Sequence, residues 1–260
     1  MDRQAVDRRA VLDEAVDVIN RNGVLLGIRP SLLSTVAAKL HRSEREVSSL
    51  WPSSEAMRGD ILLALAREGL YNRADDATLI STWNFLASHA SDLATGDGRR
   101  DVLTRLIALV AQHNFEAVTT SMPWRNYVVC SVGAAESEAL SETLTAELRR
   151  SENSFLTHMA HFYENVLGQI GFRLNDRLRH NHRAFAVSMA AVIEGLGIVR
   201  RSVPDILAAT YGGADDADLS IASLLVTVLL DGLIEEDPHY DAEAAIRRLT
   251  EGLEFESVEP

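Results

Sequence analysis

The side chains best suited to chemistry are crowded between positions 31 and 53. Ser31, Ser34, Thr35 and Lys39 come first, then Arg42, Ser43, Glu44 and Arg45, then Ser48, Ser49 and Ser53. Hydroxyls and cations at this density suit hydrogen bonding to anionic oxygen, phosphate above all. Bond-making chemistry has no comparable cluster. There is no glycine-rich phosphate loop, no H-E-x-x-H and no nucleophile elbow. Cys130 is the only cysteine and lies in the apolar stretch Tyr127-Val128-Val129-Cys130. It is expected to be a buried, inert thiol, and it rules out a disulfide framework and a Cys-rich zinc site. His158 and His161 share a helical face but have no carboxylate cluster beside them, so no metal site is expected. No cofactor and no enzymatic activity are expected.

The 260 residues are 47% hydrophobic, ample for one or two domains. No apolar run is expected to reach the roughly 18 residues of a membrane span. The start, Met1-Asp2-Arg3-Gln4, does not read as a signal peptide. A cytoplasmic protein is expected. The net charge is −13, but residues 1–70 hold ten Lys/Arg and ten Asp/Glu, so the whole excess falls on the rest. Phosphate binding needs a local basic surface, not a basic chain, and a neutral head permits it.

The elements that must position the cluster read as successive helices, with scarce proline and no alternating strand pattern. The expected spans are Gln4 to Asn22, Pro30 to about Leu40, Ser43 to before Pro52, and Ser53 to about Tyr71. Longer ones follow at about Ala77–Ala94, Arg100–Thr119, Ala135–Ile170, His182–Arg201, Leu219–Glu235 and Asp241–Gly252. Three short helices with tight joints in the first 55 residues have the layout of a helix-turn-helix. The joint is Leu40-His41-Arg42-Ser43. Val36, Ala37, Val47 and Leu50 face inward, and Ser43-Glu44-Arg45-Glu46 forms a capping box.

With Gly27, Ser31, Val36-Ala37, Leu40-His41-Arg42-Ser43, Glu44 to Leu50, Trp51 and Pro52-Ser53-Ser54-Glu55-Ala56-Met57, the head resembles the TetR family of helix-turn-helix transcriptional regulators. The spacing holds over 31 residues, Gly27 to Met57. The chain departs from the family pattern at three positions. His41 stands where the turn glycine falls, Ser48 where a phosphate-contacting tyrosine falls, and Ser54 where a lysine caps the fourth helix.

The resemblance implies an all-α fold: an N-terminal three-helix DNA-binding head, residues 1–55, and a C-terminal helical ligand-binding and dimerisation bundle, residues 72–260. The fourth helix, to about residue 71, connects them. It implies a ligand-responsive regulator, a repressor, that binds palindromic operator DNA as a homodimer and is released by a small apolar or amphipathic effector. The alternative is a protein of the same fold with weakened operator binding that acts through ligand or protein contacts, motivated by Ser48 and Ser54. On position, Arg45 either reads guanine through O6 and N7 or pairs with a neighbouring glutamate. Arg42 faces phosphate. Ser48 and Ser49 touch base or backbone. Ser31, Ser34, Thr35 and Lys39 clamp phosphates. Ser31, Ser43 and Ser53 are in any case helix caps. Glu44 and Glu46 add negative charge beside the groove, and Trp51 is expected between the first and fourth helices.

For the effector, the pocket candidates are Trp83 and Phe85, His113 and Phe115, Trp124 and Tyr127, and His158, Phe162 and Tyr163. Ordinary core packing is the alternative for each. The helices at 182–201 and 219–235 carry the densest apolar runs, so they are expected to pair across a two-fold axis. The interface candidates are Met189, Val192, Ile193 and Leu196 on the first, and Leu225, Val228 and Leu229 on the second.

Overall fold

The computed structural model describes residues 7–23, 30–67, 76–133, 138–212 and 218–251. Gly27 and the expected helix ends at Gln4, Tyr71, Ala135 and Gly252 lie outside them. The fold is all-α. In chain order the helices begin with α1 (Arg8–Asn22), α2 (Pro30–Lys39), α3 (Glu44–Ser48) and α4 (Ser54–Arg67). Next are α5 (Asp76–Ser88), a 3-10 turn (Ala90–Ala94), α6 (Gly96–Thr120), α7 (Met122–Gly133) and α8 (Glu138–Ile170). The last part holds α9 (His182–Val199), α10 (Pro204–Ala208), α11 (Ile221–Leu233) and α12 (Ala242–Thr250).

Two contact units divide the chain, 1–73 with 120–155, and 74–119 with 156–260. The expected division left 120–155 in the C-terminal domain, and the contacts assign this segment to the head. The reason is apolar burial: Cys130 of α7 is 1% exposed and sits in the same core as Val11, Val36, Val47 and Leu65. Asn126 Nδ2 also donates to Asn20 Oδ1 at 3.2 Å, and Arg67 Nε to Glu147 Oε1 at 3.3 Å. Pro123 lies in the first turn of α7, where a missing N–H costs nothing.

In the first unit, α1 is capped by Asp7, which accepts from Arg9 N. It buries Val11, Ala15, Val16, Val18 and Ile19. Gly23 closes the helix at φ +87°, its N–H donating to Ile19 O at 2.7 Å. Positive φ is a glycine conformation, so the Asn22-Gly23 stop follows from the residue itself.

The second unit packs Leu86, Leu106, Ile107, Leu167, Phe185 and Leu230 into one core. Two ladders, absent from the sequence expectation, join its elements. β1 (Phe172–Leu174) pairs antiparallel with β4 (Ile234–Glu236), and β2 (Thr210–Gly212) with β3 (Asp218–Ser220). Each strand has three residues, too short for a period-two pattern to show. In β1 only Arg173 points outward, and its Nε donates to Glu235 Oε1 at 2.9 Å.

Among the described helices, α9 has the length and apolar composition of a membrane span, although Arg183 and Glu194 interrupt the run. Its apolarity is two-sided. Phe185, Met189 and Ile193 are buried in the unit, while Val187, Ile198 and Val199 face outward.

Candidate nucleic-acid interface and ligand cavity

The joint between α2 and α3 is a Schellman closure followed by a capping box. His41 N donates to Ala38 O at 3.1 Å and Arg42 N to Ala37 O at 2.8 Å, the two bonds of that motif. His41 takes φ +54°, the left-handed conformation that the motif demands. Ser43 N then donates to Glu46 Oε2 at 2.8 Å, and Glu46 N to Ser43 Oγ at 3.2 Å. Both ends of the turn are thereby fixed, and α3 leaves it in one direction.

Val47 and Trp51 anchor α3 from below. Val47 is fully buried, and the Trp51 indole donates to Asp60 Oδ2 at 2.9 Å. The Arg8 guanidinium lies 5.1 Å from the Trp51 ring centroid and also pairs with Asp60. Trp51 therefore sits between α1 and α4. The opposite face of α3 presents Glu44, Arg45, Ser48 and Ser49 to solvent, together with Glu46. Arg45 makes no ion pair among the described residues. The Ser48 and Ser49 hydroxyls donate back to Arg45 O (3.2 Å) and Glu46 O (2.8 Å).

Of the other head residues, Ser34 and Thr35 are exposed on α2, Arg42 is half-buried at the turn, and Ser31 lies in the first turn of α2. Ser53 caps α4, its Oγ accepting from Ala56 N at 3.1 Å. Lys39 is turned toward α1, paired with Glu14 and 3.5 Å from Asp17. Its charge is thus partly neutralised within the head.

The second unit contains an apolar cavity of about 100 Å³. A stripe on α6, Leu103, Leu106, Ile107, Val110, Ala111 and Asn114, forms one wall at strict helical spacing. Phe162 and Tyr163 of α8 face it, as do Phe185, Met189 and Ile193 of α9. The rings pack edge to face, Tyr163 on Phe185 at 5.1 Å between centroids and Phe162 on Tyr163 at 5.5 Å. No Asp, Glu, Lys, Arg or His lines it among the described residues.

Two of the nine aromatic and histidine candidates, Phe162 and Tyr163, thus line the cavity. Trp83 touches it indirectly, edge-on to Phe162 at 6.3 Å. Phe85 stacks on His89 at 4.2 Å, and Phe115 is buried under the Arg200 guanidinium. His113 and His158 are exposed. Trp124 and Tyr127 belong to the first unit, where the Tyr127 hydroxyl donates to Glu152 at 2.6 Å.

The proposed dimer residues divide in the same way. Met189 and Ile193 are buried against the cavity. Val192, Leu196, Leu225 and Leu229 are half-exposed, and Val228 is 60% exposed. Ile198, 64% exposed, was not among the candidates. α9 and α11 are packed beside each other.

No family profile and no curated protein matches the chain. Among solved structures, the chain is similar to a crystal structure of a candidate transcriptional regulator from Saccharomonospora viridis in complex with choline. The two share 18% identity, the match covers 88% of this chain and 98% of that one, and the TM-score is 0.46.

Proposed function

We propose that the protein is a ligand-responsive transcriptional repressor of the TetR type. It binds palindromic operator DNA as a homodimer and is released by a small effector held in the second unit. The observation that carries this reading is the helix-turn-helix. Its second helix is locked at its start by Ser43 and Glu46 and from below by Val47 and Trp51, and Arg45, Ser48 and Ser49 remain outward. A rigid helix with an outward arginine suits major-groove readout. Arg42 and the α2 residues Ser31, Ser34 and Thr35 flank it as phosphate contacts.

The outward apolar residues of α9 and α11, Ile198, Val199 and Val228 with Val192, Leu225 and Leu229, supply the surface for a second copy of the chain. A two-fold dimer presents two heads to two half-sites. An effector with different affinity for two conformations then shifts the population away from the operator-binding one.

A second reading keeps the fold but weakens operator binding. Lys39 is paired with Glu14, and Glu44 and Glu46 are exposed beside Arg45. These features lower the cationic charge available to phosphates.

A gel shift on the DNA upstream of the protein's own gene tests the repressor reading. A sequence-specific shift at low salt, from a protein shown dimeric by sedimentation at micromolar concentration, is expected. A folded dimer that gives no shift sinks it in favour of the second reading, and a monomer at that concentration sinks the dimer.

A further inference from the structure

The cavity of the second unit is lined mostly by apolar side chains, with Thr78, Thr82, Asn114 and Tyr163 as its polar residues. Thr78 Oγ1 and Asn114 Oδ1 are buried and make no hydrogen bond among the described residues. Both residues line the cavity, from α5 and α6. Thr78 is 4% exposed. Thr82, one turn further along α5, shows the ordinary arrangement: its hydroxyl donates to Thr78 O at 2.9 Å. The Thr78 hydroxyl has no such partner. Buried polar atoms in folded proteins are paired, and unpaired ones at a cavity wall mark what the cavity receives.

The wall also states what it does not receive. Among the described residues no charged side chain lines it, so an ion would be buried there without a counter-ion, which is strongly disfavoured. The rings pack edge to face on one another, which occupies aromatic faces that a cation would need.

We propose that the effector is neutral and mostly apolar, with a hydroxyl or amide N–H that donates to Asn114 Oδ1 while its oxygen pairs with the Thr78 hydroxyl. A cavity of about 100 Å³ is of the order that receives one small aromatic molecule. This inference rests on the reading of the cavity as the effector site.

Three probes of equal size test it by calorimetric titration of the full chain: 2-phenylethanol, propylbenzene and 2-phenylethylammonium. The alcohol should bind about tenfold more tightly than the hydrocarbon, the effect of one satisfied buried hydrogen bond. The cation should bind more weakly than either. In Thr78→Val/Asn114→Leu the preference for the alcohol should vanish while propylbenzene still binds, which shows the cavity intact. Thr78→Val and Asn114→Leu singly give the same readout if the double variant does not fold. Equal binding of alcohol and hydrocarbon, preference for the cation, or a preference that survives both substitutions overturns the ligand class alone. Failure of all three probes to bind overturns the cavity as the effector site, and the ligand class with it.

Discussion

The Trp51 indole N–H donates to Asp60 Oδ2 across 2.9 Å, and that bond ties the end of the α3 segment to α4. The same carboxylate pairs with Arg8 of α1, whose guanidinium lies over the Trp51 ring. One carboxylate therefore links three elements of the head. Asp60→Ala leaves a buried indole N–H unpaired and should destabilise the head by about 1–3 kcal/mol. Asp60→Asn keeps an acceptor for Trp51 and loses only the charge toward Arg8, and exposed pairs of that kind contribute about 0–1 kcal/mol. Denaturant titration of the two variants should rank Asn well above Ala. Equal losses would mean that the indole bond contributes nothing.

His41 occupies a left-handed backbone position at φ +54°. For a residue with a Cβ this conformation costs about 1 kcal/mol relative to glycine. His41→Gly should therefore stabilise the protein by about that amount, and His41→Val should destabilise it by more, since a β-branched side chain is worse there. The midpoint of urea unfolding reads both. A destabilising glycine would show that the imidazole makes a contact outweighing the backbone strain.

Much of the head was legible because its signals are local. Ser43 and Glu46 are three residues apart, the Gly23 stop is a single residue, and Trp51 follows a short helix whose inner face is Val47. Each signal reports on hydrogen bonds within one turn of chain. What was not legible depends on pairing distant segments. α7 joins the head because Cys130 is buried with residues more than 60 positions away, and no periodicity encodes that choice. Which side chains line the cavity depends on the same kind of pairing. His113 and Phe115 flank Asn114 in sequence, yet at about 100° per residue they point elsewhere, and the inward position falls to the asparagine between them. Met189 and Ile193 read as interface residues because α9 is apolar on two sides, and sequence alone does not say which side is inside.

Arg45 is outward on α3 and makes no ion pair among the described residues. Under the proposed function, Arg45→Ala should weaken operator binding by a factor corresponding to about 1–3 kcal/mol and relax base preference at one position of each half-site. Lys39→Ala should change affinity much less than a free phosphate contact would, because Lys39 already pairs with Glu14. Binding isotherms on operator variants at several salt concentrations separate the two. Unchanged affinity and base preference in Arg45→Ala would refute its role.

Burial pushes the Cys130 thiol up to about 11 from an ordinary value near 9.0. A group whose folded pKa is raised contributes stability that is intact below the unfolded pKa and lost as pH climbs toward the folded one. The thiol should therefore leave stability unaffected below about pH 8 and subtract up to about 3 kcal/mol between pH 9 and 11. Cys130→Ala should remove that alkaline loss while costing stability at neutral pH through the cavity it leaves. In the folded protein the thiol should react with a maleimide only at the rate of opening. Rapid labelling at pH 7 would contradict the burial.

Thr78 offers a separation between what stabilises the fold and what binds a ligand. Its hydroxyl is buried with no partner among the described residues, so the ligand-free protein carries the cost of desolvating it. Valine has nearly the same shape and no hydroxyl. Thr78→Val should therefore raise the melting temperature of the ligand-free protein, by an amount equivalent to about 1 kcal/mol. A purely structural threonine, bonded as Thr82 is, would show the opposite sign, because the substitution would then break a bond. Differential scanning calorimetry of Thr78→Val and Thr82→Val in parallel decides between them: the first should melt above the parent protein and the second below it. If Thr78→Val melts lower, its hydroxyl has a partner within the fold and is not available to an effector.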